Sequence, residues 1–178
     1  PRTRWARGLS WACPSDRMSG TNTPGDASRL SALADPGTMA DDSTILHASC
    51  VAVQGCGALI TGASGRGKSS LALGMMAIGA TLIADDRVCL TRQGQSIIAS
   101  APAPLSGLIE ARGIGLLHAA PGDPVPLSCV IDLDQLEPDR MPPLRQTKVL
   151  GQSIALLFRV DTPHFPAGLV QYLKAGRL

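Results

Sequence analysis

The run Gly62-Ala63-Ser64-Gly65-Arg66-Gly67-Lys68-Ser69 follows the pattern G-x-x-x-x-G-K-[ST] in full. Its glycines let main-chain N–H groups close around phosphate oxygens, and a helix beginning beside them adds the positive end of its dipole. On this chemistry Lys68 reaches the β and γ phosphates of a nucleotide, and the Ser69 hydroxyl holds Mg²⁺. The expected phosphate contacts are therefore Gly62, Ala63, Ser64, Gly65, Arg66, Gly67, Lys68, Ser69 and the adjoining Ser70. A second pair follows 17 and 18 residues after Lys68, at Asp85 and Asp86. Carboxylates there can approach a bound metal or take a proton from an attacking hydroxyl, whereas without the upstream loop they would read as a solvated turn. Thr147-Lys148-Val149-Leu150 lacks the acid of a guanine-reading Asn-Lys-x-Asp motif, which argues against a GTPase switch.

Elements must hold these groups in place. Ile45 to Val53 reads as one β-rich run, Gln54 to Gly57 as a turn and Ala58 to Thr61 as a second short strand, a hairpin that feeds the glycine-rich loop. Residues 67–78 read as a helix with Leu71, Met75 and Ile78 on one face, ended by Gly79. Thr81 to Ala84 is a strand that delivers the Asp pair. Strands are also expected at 87–92, 96–99, 114–118, 127–133 and 153–160, with a closing helix at 166–174 that has proline at its start. The proline-rich stretch 134–149 reads as loop. The expected class is α/β: a mixed β-sheet containing the phosphate loop, with few helices and at least one antiparallel pair, unlike an alternating doubly wound sheet.

The chain of 178 residues is 44% hydrophobic and 17% charged, enough apolar side chain for one folded core. No run approaches the roughly 20 apolar residues of a membrane span. A net charge of +2, without a cationic block and with 3% aromatics, argues against nucleic acid as a partner. Five cysteines show no metal-ligand spacing. Residues 1–43 lack either structural period and read as a tail or non-native extension, with Met39 as a candidate physiological start. The catalytic unit is then 44–178. No secretory leader is evident, and the expected location is cytoplasmic.

His47, the phosphate loop, Leu82-Ile83-Ala84-Asp85-Asp86 and Leu108-Ile109-Glu110-Ala111-Arg112-Gly113-Ile114-Gly115 occur in that order. Together they resemble the catalytic domain of HPr kinase/phosphorylase, a bacterial serine kinase of the phosphocarrier HPr, over roughly residues 44–175. The resemblance implies a fold similar to the nucleotide-binding core of phosphoenolpyruvate carboxykinase, with ATP and Mg²⁺ as cofactors and HPr or an HPr-like phosphocarrier as partner. It implies that Lys68 binds the transferred phosphoryl group, Ser69 and Glu110 bind metal, and Asp86 accepts the proton of the substrate serine with Asp85 as helper. It also implies that His47 is the active-site histidine and that Arg140, in Asp139-Arg140-Met141, is a catalytic cation. Arg112 is secondary, with fixing of its own loop as the alternative.

The chain departs from the full-length pattern. The short N-terminal tail cannot hold the extra domain, and Pro143-Leu144-Arg145-Gln146-Thr147-Lys148 stands where a Pro-Val-Arg-Pro-Gly-Arg-like segment is tied to the reverse reaction. The resemblance is thus to the truncated, single-domain type, with phosphorylase activity open and self-assembly into a homo-oligomer open. The rival readings are a small-molecule P-loop kinase and a non-catalytic nucleotide-binding regulator.

Overall fold

Alternation of apolar side chains along three adjacent strands organises the molecule, because each strand is buried on both faces. The computed structural model of the protein describes residues 42–177. Its elements are β1 (Ser43–Leu46), β2 (Ser49–Val53), β3 (Cys56–Thr61), α1 (Lys68–Met76), β4 (Thr81–Ala84), β5 (Val88–Gln93) and β6 (Ser96–Ser100). There follow β7 (Leu108–Ala111), β8 (Gly115–His118), β9 (Val125–Leu136), β10 (Arg145–Val149), β11 (Gln152–Arg159) and α2 (Phe165–Ala175). The strands β1-β5-β6-β9-β3-β2-β4 run in that order. β11 also pairs with β9, β10 pairs with β11, and β7-β8 form a separate two-stranded sheet. The mixed, strand-rich α/β class expected from the sequence is the observed one.

In the central layer Cys50, Leu59 and Val130 point into one apolar cluster, while Val51, Ala58, Ile60, Cys129 and Ile131 point into the other. This is the two-residue period of a strand, doubled because both faces are covered. One cluster is closed by the curled sheet through Val88, Leu90, Ile97 and Ala99. The other is closed by the helices through Ala72, Met75, Leu169, Val170 and Leu173. Burying a side chain such as Ile60 or Ile131, each 0% exposed, stabilises by about 1.5–3 kcal/mol.

β9 links the layers. Its first residues pair antiparallel with β6, at Val125 and Pro126. From Leu127 it lies parallel to β3, and from Cys129 it lies parallel to β11 on its other side. β3 therefore ends beside β9, and the loop that follows β3 opens at the carboxyl end of two parallel strands. The β2–β3 hairpin turns at Gln54 and Gly55, both at positive φ (52° and 78°), the backbone a two-residue hairpin loop requires.

The structure revises three sequence expectations. Ile45 to Val53 is not one strand: it breaks at His47-Ala48, where the chain passes from pairing with β5 to pairing with β3 and β4. The buried face of α1 is Lys68, Ala72 and Met75, and Ile78 lies beyond the helix at 45% exposure. Gly79, at φ 101°, does terminate that segment. The stretch 134–149 contains the end of β9 and all of β10, because its prolines fall between the two strands and not within them.

Candidate active site

The phosphate loop occupies the β3–α1 junction. Thr61 donates its hydroxyl to the Ile131 carbonyl at 3.2 Å, tying the last residue of β3 to β9 just below the loop. Gly67, at φ 91°, turns the chain into α1, whose start has no side-chain cap and no acidic residue in its first turn. An uncapped helix N-terminus offers its free N–H groups and positive dipole end to an anion. Lys68 folds back, and its Nζ donates to the carbonyls of Gly62 (2.9 Å) and Ala63 (3.3 Å). Burial pulls its pKa below the ordinary lysine value, against the opposing pull of Asp134, Asp85 and Asp86.

Asp85 is a hub. It is 5% exposed, and its Oδ1 accepts the hydroxyls of Ser69 (2.9 Å) and Ser49 (2.5 Å), while Oδ2 accepts the backbone N–H of Glu110 (3.0 Å). One carboxylate thus ties α1, β2 and the β7–β8 hairpin together. Asp86 points elsewhere. It sits at φ 65° within a three-residue turn in which the Arg87 N–H donates to the Asp85 carbonyl at 2.8 Å. This γ-turn with positive φ is the rarer, strained form, of the kind that clusters at functional sites. The turn sends Asp86 outward to His47, whose Nε2 lies 3.3 Å from Asp86 Oδ1, with both side chains more than half exposed.

A cleft lined by His47, Ser49, Ser64, Gly65, Gly67, Lys68, Ser69, Ser70, Asp85, Asp86, Glu110 and Arg112 joins these groups. Gly107, at φ 72°, lets the two arms of the β7–β8 hairpin close at its base: a Cβ there would meet the Ala119 carbonyl oxygen at 2.8 Å, and the Ala119 N–H donates to the Gly107 carbonyl at 2.9 Å. Among the described residues no group of three His, Cys, Asp or Glu side chains could hold a metal unaided. The oxygen donors Ser69 and Glu110 suit a hard cation of the magnesium type, which takes one or two protein ligands and completes its shell with phosphate and water.

Not every expected residue lines this cleft. Gly62 is buried beneath the loop. Ala63 and Arg66 turn to its outer side, where Asp134 at the end of β9 accepts the Ala63 N–H (3.1 and 3.2 Å) and Arg66 Nε (3.0 Å). Asp134 is steadied in turn by its own N–H donating to Asp132 at 2.8 Å. Arg140 is exposed in the β9–β10 connection and is not among the lining residues. Sequence reasoning missed Ser49 and Asp134, whose partners lie 36 and up to 71 residues away. Arg112, secondary in the sequence reading, is among the residues that line the cleft.

Residues 38–121 match the family model of the HPr Serine kinase C-terminal domain. In solved structures, the HPr(Ser) kinase/phosphatase from Coxiella burnetii superposes with a TM-score of 0.61 at 25% identity, covering 71% of this chain and 91% of that one. The chain resembles the HPr serine kinase C-terminal domain in sequence and in fold. The HPr kinase/phosphorylase of Lacticaseibacillus casei is 36% identical over 126 residues, which is 66% of this chain and 39% of the relative. That of Levilactobacillus brevis is 45% identical over 82 residues, 46% of this chain and 26% of the relative. The chain therefore spans well under half the length of these curated relatives. The fold expected from the resemblance is the fold observed, and no helix among the described residues is long and apolar enough to cross a membrane.

Proposed function

We propose that this chain is an ATP- and Mg²⁺-dependent protein kinase that phosphorylates a serine of HPr or an HPr-like phosphocarrier, regulating carbohydrate metabolism through the phosphotransferase system. What supports this reading is the cleft, in which a phosphate loop with its lysine faces a buried and an exposed aspartate and the Glu110-bearing hairpin. The uncapped start of α1 would receive the triphosphate, and Lys68 would give up the Gly62 and Ala63 carbonyls to donate to phosphate oxygens. Ser69 and Glu110 would hold Mg²⁺, which would supply neutralisation of phosphate charge.

The substrate serine Oγ forms a bond to the γ phosphorus while the bond from that phosphorus to the β–γ bridging oxygen breaks, and ADP leaves with the electron pair. The hydroxyl proton passes to Asp86, which its exposure leaves open to a protein substrate. His47 orients the receiving carboxylate from 3.3 Å. Arg140 neutralises charge on the moving phosphoryl group, which requires the β9–β10 connection to come over the cleft. Positioning and charge neutralisation are the main catalytic terms.

Incubation with Mg-ATP and the host's own HPr is expected to add one phosphate to a serine, read by mass. Asp86→Asn is expected to lower the transfer rate at least about 100-fold, the usual worth of a general base. Unchanged transfer by Asp86→Asn removes that residue from its role, and absence of transfer to any host phosphocarrier sinks the substrate assignment.

A further inference from the structure

Ser49 belongs to none of the motifs that carry the resemblance, yet its side chain is fully buried and its hydroxyl shares Asp85 Oδ1 with Ser69. We infer that Ser49 is a positioning residue for the metal: by fixing Asp85, it keeps the Ser69 hydroxyl turned so that its lone pairs face the cleft. This rests on the nucleotide-binding reading above.

The argument is one of donors and acceptors. A buried carboxylate is tolerated when hydrogen bonds satisfy its oxygens, and Asp85 has three donors from three elements. A serine hydroxyl has one proton and two lone pairs. Ser69 can present oxygen to a cation only if its proton is already committed, and Asp85 Oδ1 receives that proton at 2.9 Å. Ser49 approaches the same oxygen from β2, a strand held on both sides by its neighbours, and sits fully buried at the floor of the cleft. Without this donor Oδ1 keeps only the Ser69 hydroxyl, so the carboxylate is held by two donors instead of three and the aim of Oδ2 at the Glu110 N–H loosens. Ser49 thus sets both ends of the cation's protein shell, Ser69 directly through Asp85 and Glu110 through the backbone that carries it.

Two measurements on the full chain separate this from a packing role. The first is the Mg²⁺ titration of a fluorescent ATP analogue. Ser49→Ala is expected to raise the Mg²⁺ midpoint about tenfold, the lower end of what a group behind a metal ligand contributes, with metal-free nucleotide affinity kept within about twofold. Ser49→Thr, which retains the hydroxyl, is expected to return the midpoint toward that of the unsubstituted protein. Equal loss of metal-free and metal-dependent affinity, or a Ser49→Ala midpoint equal to that of the unsubstituted protein, overturns the inference.

The second is hydrogen exchange in the metal-free protein, which needs no nucleotide. Ser49→Ala is expected to speed exchange of the Glu110 amide about tenfold relative to the Leu90 amide in the far cluster. Unchanged Glu110 protection shows that Asp85 does not depend on Ser49 and ends the proposal. An unsubstituted chain that binds no nucleotide sinks the proposed function, and if Ser49→Ala still speeds Glu110 exchange the Ser49–Asp85 linkage stands.

Discussion

Asp85 and Asp86 are neighbours of one type with opposite surroundings, and the backbone between them accounts for it. Asp85 ends β4, buried and held by three donors, whereas Asp86 occupies a left-handed position and reaches outward to His47. A left-handed residue with a Cβ is strained by about 1–2 kcal/mol, less for aspartate, and glycine escapes the strain. Asp86→Gly is therefore expected to be more stable than Asp86→Ala by about 1 kcal/mol in urea titrations, although both remove the same carboxylate. Equal stability of the two variants would show that the turn carries no strain. The exposed contact with His47 contributes little to either comparison. The sequence made Lys68, Ser69 and the Asp pair visible because a local motif fixes their types. It hid Ser49 and Asp134, since a serine inside an apolar strand and an aspartate after one have no local mark. Only the pairing of β2 and β9 around β3 brings them to the loop.

At the scale of elements, local period and punctuation located most strands, and failed where an element was short or crossed a layer. β7 carries only Leu108–Ala111 and was concealed within a stretch read for its chemistry. β10 was masked by Pro138, Pro142 and Pro143, which belong to the connection before it. That connection is closed at its base. Arg145 forms a forked pair with Glu137 (2.6 and 3.2 Å) and stacks 4.6 Å above the Phe158 ring, while the Glu137 side chain is only 5% exposed. Arg145→Ala leaves a buried carboxylate without its cation and is expected to cost about 3 kcal/mol of stability. Adding Glu137→Gln should restore part of that loss. A single substitution that leaves the thermal midpoint in place would mean that the pair does not hold the segment bearing Arg140.

Across the whole molecule, one central layer serves two apolar clusters, so neither can open without disturbing the other. Cys50 and Cys129 report on the two sides. Both are free and fully buried, and burial pushes the Cys129 thiol up to about 12 and the Cys50 thiol higher still. Alkylation under native conditions is expected to reach the partly exposed Cys89 first, and then Cys50 and Cys129 at a common rate set by global unfolding. Clearly different rates for the two buried thiols would mean that the layers come apart independently.

The late position of β9 bears on the order of events at the ribosome. β3 and its loop emerge some seventy residues before the strand that flanks them and the aspartate that braces them from outside. The family match itself stops at residue 121, ahead of that strand. A nascent chain released at that point would display every letter of the phosphate signature with β3 paired to β2 alone and its other edge open. Its capacity to grip an anion should therefore arrive abruptly, when translation has passed Asp134 and that residue has cleared the exit tunnel.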